Sequence, residues 1–259
     1  MIGLCRFCDQ ERPLIDAHIV PEAFYREIKS DDDAMLFLVS SNVATHPKKT
    51  PIGPYDSGIL CRECEDLFWE WDDYAIRLLI ADRYTAFKRV VMGDVQYFEA
   101  ASVDYRKLKL FMIAVAWRAS VATHAAFKKV SLGKREQRAK ELLRAREPGP
   151  ENEFGVAMSR LTRGHTSPEE APFVTTPVSR YYANGSQGVR VFLGGFVADI
   201  CTGRKPLPEE IRSLEIRPDR PMFAVGLPRS EVTEVRNFGP AILHHGPKLL
   251  SRIQRKKPR

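Results

Sequence analysis

The chain has 259 residues, with 40 lysines and arginines against 33 aspartates and glutamates, and therefore a formal net charge of +7. Its hydrophobic content of 44% and charged content of 28% are ordinary for a globular protein, and its longest apolar run, 110–117, is too short to span a bilayer. The composition thus argues against a membrane protein, and the positive charge favours an anionic partner, nucleic acid first.

The N-terminal part of the chain is predicted to consist of short elements that begin at a cysteine motif. Residues 1–20 are predicted to form a cysteine knuckle and a short strand pair, followed by a helix from Pro21 to about Lys29, because proline suits the first helical position. A buried strand is predicted over 34–39, and the proline- and glycine-rich stretch 40–58 reads as loop.

Two long helices are predicted next. The first runs from Glu65 to about Met92, and the second from about Asp104 to Val130, where the apolar run places it in the core. Arg118 on the second helix is expected to be a stacked or ion-paired structural residue. Residues 128–147 hold eight lysines and arginines against three glutamates, which predicts a basic surface helix. That helix is a candidate phosphate-binding face, and an ordinary solvated surface is the alternative.

Pro148-Gly149-Pro150 is the clearest boundary in the chain. The residues after it are strand-like, with a hairpin turn expected at Asn184-Gly185. The predicted strands are 156–161, 172–183, 189–202 and 222–226. We therefore predict an α+β fold with an N-terminal unit (1–75), a helical region packed on it (76–147), a β-rich region (151–245) and a basic tail (246–259) able to bind phosphate.

Four of the five cysteines form two Cys-x-x-Cys pairs, Cys5 with Cys8 and Cys61 with Cys64. Each pair presents two thiolates to one side of a metal, so the two pairs together suit a tetrahedral, structural Zn²⁺ site. Unrelated buried cysteines or a redox pair are the alternatives. The spacing suits a reducing compartment, and residues 1–8 carry no apolar leader, so a cytoplasmic location is expected.

The order Cys5-x-x-Cys8, His18-Ile19-Val20-Pro21, Ile59-Leu60-Cys61-x-x-Cys64 and then a helix resembles the zinc-stapled HNH (ββα-metal) endonuclease family. The resemblance covers about residues 5–75. It implies a zinc-bound treble-clef or ββα-metal unit that carries a second, catalytic cation, Mg²⁺ or Mn²⁺. By position, it makes His18 the general base, Asp56 the residue that orients the base, and Glu65 a ligand of the catalytic cation.

The sequence departs from the family at several of these positions. Ala17 stands where the family commonly has a metal-binding carboxylate. Asp16, one residue earlier, is the fourth candidate catalytic residue, as a further ligand of the cation, although on a strand it would point to the other face unless a bulge re-aims it. Asp56 and Glu65 are not the family's usual residue types, although both offer oxygen ligands to Mg²⁺. Asn42 and His46 are reserve candidates for the family's asparagine and metal ligand.

The leading functional prediction from this resemblance is a metal-dependent endonuclease that hydrolyses phosphodiester bonds, with DNA favoured over RNA and a role in bacterial defence. The alternative is a catalytically inactive treble-clef zinc module that binds nucleic acid or a protein partner. In a third hypothesis, the zinc ion only stabilises the fold of an enzyme whose active site lies in the C-terminal region. No membrane partner is expected, and homo-oligomerisation is left open.

Overall fold

The computed structural model describes residues 2–28, 52–240 and 244, together with the backbone of 36–38 and 48–50. The predicted basic tail (246–259) lies outside the described residues, as do the reserve candidates Asn42 and His46. Within the described ranges, no helix has both the length and the apolar character needed to cross a bilayer.

The N-terminal unit is built from short strands around one long helix. Its elements are β1 (Ile2–Leu4), β2 (Glu11–Pro13), β3 (Ala17–His18), α1 (Glu22–Arg26), β4 (Leu36–Leu38), β5 (Lys48–Thr50), β6 (Tyr55–Asp56) and α2 (Arg62–Ile76). Three antiparallel pairs form, β1 with β2, β3 with β6 and β4 with β5. The predicted knuckle, strand pair and first helix are confirmed, and the helix is shorter than expected.

The predicted helix from Glu65 to Met92 is wrong in its last part. A π-helical turn (Arg77–Ala81) and a short helix, α3 (Arg83–Ala86), follow α2, and the chain then enters a hairpin of β7 (Lys88–Met92) and β8 (Val95–Ala100). The Val90-Val91 pair favours a strand, and Gly93 supplies a positive φ of 60° at the turn.

A central helix, α4 (Tyr105–Val121), organises the core. Twelve of its 17 residues are buried, and it contacts both α2 and α5 (Glu136–Ala145). The prediction of a central helix is confirmed, but α4 ends at Val121 rather than Val130, and two short 3₁₀ turns lead from it to α5.

The remaining elements complete a seven-stranded sheet. They are β9 (Val156–Thr162), β10 (Val178–Tyr181), β11 (Gln187–Leu193), β12 (Phe196–Cys201), α6 (Glu209–Arg212) and β13 (Met222–Pro228). The strand order is β10-β11-β12-β9-β13-β8-β7, with only the β9–β13 pair parallel. Because β7 and β8 come from the middle region, the sheet crosses the predicted boundary at Pro148–Pro150.

Two details of the sheet differ from prediction. The predicted strand over 189–202 is really two strands, since Gly194 has a φ of 68° and turns the chain between β11 and β12. The predicted hairpin between β10 and β11 is confirmed, with Gly185 at a φ of 78°. One hydrophobic core extends from Phe7 through α4 to Met222, so the zinc-motif unit, helices and sheet are packed together. The α+β class is confirmed.

Candidate metal centre and active face

The four cysteines of the two Cys-x-x-Cys motifs converge on one point. The Sγ atoms of Cys5, Cys8, Cys61 and Cys64 all lie within 4.8 Å of one another. Tetrahedral coordination at a Zn–S distance of about 2.3 Å separates sulfurs by roughly 3.8 Å, so the cluster is compact enough for one zinc ion. Cys5–Cys8 lies in the loop of the β1–β2 hairpin, and Cys61 caps the N-terminus of α2.

Backbone amides around the cluster favour thiolate ligands. The N–H of Cys61 donates to Sγ of Cys5 at 3.4 Å. Burial acts to raise the pKa of Cys5, but backbone N–H donors, that of Cys8 foremost, bring it down to about 7. Burial raises the pKa of Cys64 well above its usual value. Coordination by Zn²⁺ would compensate for burying these thiolates, so the donor set fits this metal.

Asp9, which follows Cys8 directly, links the first cysteine knuckle (Cys5–Cys8) to the helical region. Asp9 has a φ of 61°, and its carboxylate accepts from Lys140 Nζ at 2.6 Å and from Arg144 Nη2 at 2.9 Å. These bonds join the zinc ligands to α5. Since Lys140 and Arg144 belong to the predicted basic helix, part of that positive charge is used inside the molecule.

Most cations of the basic stretch 128–147 are likewise used in ion pairs within the molecule. Five of its eight cationic residues form ion pairs with described acids, namely Arg135, Arg138, Lys140, Arg144 and Arg146. Lys128, Lys129 and Lys134 have no such pair among the residues described. The basic helix predicted over 128–147 is confirmed only for 136–145, as α5, and the cations without an ion pair among the described residues precede it. Phosphate binding by this stretch stays a prediction.

His18 lies on the β3–β6 pair, half-buried, directly opposite Tyr55. Its Nε2 is 3.2 Å from the carbonyl oxygen of Ile52. A carbonyl only accepts, so this contact places the ring proton on Nε2 and leaves Nδ1 with a free lone pair. Burial lowers the pKa of His18, which favours the neutral imidazole near pH 7.

Asp56 points to the other face of the same strand pair. Its partner across the pair is Ala17, and both are buried, because successive strand residues alternate between faces. Its carboxylate accepts from the backbone N–H groups of Gly58 (2.8 Å), Thr123 (2.6 Å) and His124 (2.7 Å). Burial opposes ionisation, but these donors hold the pKa of Asp56 below its usual value. The acceptor found at His18 is thus Ile52 rather than Asp56.

Glu65 occupies the first turn of α2, one residue after Cys64. Its Oε2 is buried and has no hydrogen-bond partner among the described residues. Burial raises the pKa of Glu65, and the positive charge of Arg118 opposes that rise. A buried carboxylate oxygen without a donor is costly and calls for a ligand such as a cation or an ordered water molecule.

Arg118 connects the candidate residues. It is fully buried, and its Nη1 and Nη2 donate to the two carboxylate oxygens of Asp72 at 2.9 and 2.8 Å. Its charge acts on both His18 and Glu65, which lie on different elements. The prediction that Arg118 is ion-paired and stacked is confirmed, since its guanidinium also lies 5.3 Å from the centre of the Phe68 ring.

Asp16, the fourth predicted catalytic residue, is exposed and precedes β3. Its negative charge raises the pKa of His18, against the larger effect of burial. Arg118 therefore acts on both His18 and Glu65, Asp16 acts on His18, and Asp56 points to the opposite face of the strand pair. Thr123 and Asp72, which fix Asp56 and Arg118, carried no motif that could have revealed them.

The chain was compared with protein-family models, curated proteins and solved structures, and no match was found in any of the three.

Proposed function

We propose that this protein is a metal-dependent endonuclease of the HNH type, with a structural zinc ion and a second divalent cation held at Glu65. DNA is the proposed substrate. The observation that carries the proposal is the buried Oε2 of Glu65, which has no hydrogen-bond partner among the described residues and lies on the first turn of α2. The positive charge of Arg118 acts on Glu65 and also on His18.

Local geometry supports this assignment. A strand pair carrying His18 is followed by α2, whose N-terminus bears two of the four sulfur ligands, and a single zinc ion would fix α2 to the β1–β2 hairpin that bears the other two. This order of strand, strand and helix supports the proposal of a treble-clef or ββα-metal unit. Glu65 thereby lies at a fixed place relative to the zinc ion.

The residues divide the chemistry between them. Burial lowers the pKa of His18 and so favours its neutral form, and the Ile52 carbonyl accepts from Nε2–H, so that Nδ1 can accept a proton from water. Glu65 would hold the divalent cation, which when bound would stabilise negative charge on the leaving oxygen. Asp72 holds Arg118 in place, and Arg118 offsets the desolvation of Glu65.

A second candidate function is a catalytically inactive zinc module that binds nucleic acid. The hydrogen bond from His18 to Ile52 favours it, because a histidine that only closes a loop needs this bond and nothing more. Ala17 also removes one carboxylate that the cation could use.

Cleavage assays separate the two functions. Supercoiled, linear and single-stranded DNA and RNA should be incubated with the wild-type protein and Mg²⁺ or Mn²⁺. The proposal expects cation-dependent nicking that His18→Ala reduces by about 10²- to 10⁴-fold, the usual contribution of a general base. Zinc content and melting temperature of the variant should match those of the wild type.

Tyr55→Phe is the matched control, because Tyr55 lies across the strand pair from His18 and is partly exposed. It should retain activity. A wild-type protein that cleaves none of these substrates, while binding them, would leave the inactive module as the function.

A further inference from the structure

Exposed cations and one exposed tyrosine gather where β10 forms an edge of the sheet. Tyr181 is 77% exposed, the largest exposed fraction among the large hydrophobic side chains of the described chain. We define the β10 edge surface by six exposed residues: Lys128, Lys129, Lys134, Tyr181, Arg204 and Lys205.

Hydrogen bonds hold the three segments of this surface together. Ser179 Oγ on β10 donates to the carbonyl of Lys129 at 2.8 Å. Arg135 donates to the carbonyl of Gly203, and Lys205 Nζ lies 3.4 Å from the carbonyl of Asn184. The loop after α4, the β10–β11 hairpin and the loop after β12 are therefore neighbours, although they are far apart in sequence.

Strand alternation places the tyrosine beside the lysines. Ser179 and Tyr181 point to one face of the sheet, since they lie opposite Val189 and Gln187. Ser179 on that face reaches Lys129. Arg180 points to the other face, where it pairs with Glu234 at 2.9 Å. Tyr181 thus projects from the face that Lys129 covers.

The surface carries uncompensated positive charge. None of its five cations forms an ion pair within the described parts of the chain. Among the acids on adjoining elements, Glu136 accepts a hydrogen bond from Ser120 Oγ, and three others are held by arginines. Those acids are Glu153, held by Arg135 and Arg138, Asp199, held by Arg190, and Glu234, held by Arg180 and Arg190. A polyanion would meet little repulsion here.

This surface is connected to the strand pair that carries His18 through the loop after α4. Thr123 donates to Asp56, whose strand pair carries His18, and Lys129 contacts β10 only six residues further along the chain. Six residue steps span at most about 21 Å. Lys129 therefore lies within about 21 Å of Thr123, which contacts the Asp56 side of the strand pair that carries His18.

We propose that the β10 edge surface binds single-stranded nucleic acid. Its lysines and Arg204 contact phosphates, and Tyr181 stacks on a base, which requires a base free of duplex pairing. The inference rests on the proposed function in identifying the bound strand as the one presented to His18. The binding itself needs no cleavage, so the two can fail separately.

Fluorescence anisotropy with labelled dT20 and rU20, without added divalent cation, tests the proposal. Tyr181→Ala should weaken binding about tenfold, the typical loss for one stacked base, and Tyr181→Phe should not. Lys128→Ala combined with Lys129→Ala should reduce the slope of log K against log salt by about 1.4, since each single-strand phosphate contact contributes about 0.7.

Matched controls come from other surfaces. Trp69→Ala removes an aromatic side chain that is 69% exposed on α2, and Lys88→Ala removes a lysine at the opposite sheet edge, on β7. Neither should change affinity. Equal effects of control and test variants, or unchanged affinity and slope in both test variants, would overturn the inference, as would tighter binding of duplex than of dT20 and rU20.

Cleavage data keep the inference apart from the proposed function. If the wild type cleaves nothing and the test variants lose binding, the result would support the surface and count against the nuclease. Test variants that cleave and bind as well as the wild type would support the nuclease and count against the surface.

Discussion

The carboxylate of Asp56 accepts a hydrogen bond from the backbone N–H of Thr123 at 2.6 Å, which ties the His18 strand pair to the loop that ends α4. This bond gives Asp56 a structural task on the face opposite His18. Residues matched by sequence position to a catalytic role can therefore serve the fold instead.

Asp56→Asn should destabilise the protein by an amount on the order of 2 kcal/mol, because an amide group faces N–H donors that the carboxylate now satisfies. The pKa of Asp56 is depressed when folded, so its contribution is present above the unfolded value and is lost as pH falls through the folded pKa. Chemical denaturation should show a higher free energy of unfolding for the wild type than for Asp56→Asn at pH 7, and a smaller difference at pH 3. An equal advantage at both would contradict this role.

Asp72→Ala should cost about 3–5 kcal/mol, since it leaves Arg118 buried without a counter-charge. The double variant Asp72→Leu with Arg118→Met should cost less than the single change, because it removes both charges. Urea denaturation of the wild type, Asp72→Leu, Arg118→Met and the double variant gives the coupling energy. Additive effects would show that the bidentate pair is not coupled.

Removal of zinc should unfold the common core and not just the N-terminal unit, because Cys5 and Cys64 belong to the same cluster of buried residues as α4 and the sheet. Purified protein should contain about one zinc per chain. Cys61→Ser and chelation should both lower the melting temperature, with loss of near-ultraviolet circular dichroism over the whole transition. Metal-free protein with the wild-type melting curve would contradict a structural zinc.

Lys109 should make stability rise with pH in the alkaline range. It is 1% exposed, and burial lowers its pKa from 10.5 to about 8, although its Nζ donates to Tyr105 Oη at 2.9 Å and to the Pro150 carbonyl at 2.7 Å. Between pH 8 and 10.5 the unfolded chain binds a proton that the folded protein lacks.

Between pH 8 and 10.5, the free energy of unfolding of the wild type should therefore rise by up to about 3 kcal/mol relative to that of Lys109→Met, at 1.36 kcal/mol per pKa unit. Urea denaturation of both proteins at pH 7.5, 9 and 10.5 measures the difference. A constant difference across these pH values would mean that Lys109 titrates at the same pH in both states.

The sequence predicted those features that local pattern determines. The spacing of Cys5, Cys8, Cys61 and Cys64 was sufficient to predict their convergence, and the apolar run after Leu108 was sufficient to identify the central helix. The α+β class followed from the change of pattern beyond Pro150.

Features set by distant partners were not predictable. Residues 88–92 follow a helical stretch, and only pairing of β8 with β13, more than 120 residues away, places the hairpin in the sheet. The side chain of Asp56 is directed by Thr123, and the charge of Lys140 and Arg144 is used by Asp9. Helical periodicity and charge counts carry no information on such long-range contacts.

The central claim is the proposed site for a divalent cation at Glu65, in addition to the zinc ion. Titration with Mn²⁺, followed by the electron paramagnetic resonance signal of the free ion, measures this site without any knowledge of the substrate. The matched control is Glu63→Gln, which changes an exposed glutamate on the same turn of α2. The account predicts about one bound Mn²⁺ per chain in the wild type and in Glu63→Gln, and its loss in Glu65→Gln with zinc content unchanged. Equal Mn²⁺ binding by wild type and Glu65→Gln, or none by the wild type, would contradict it.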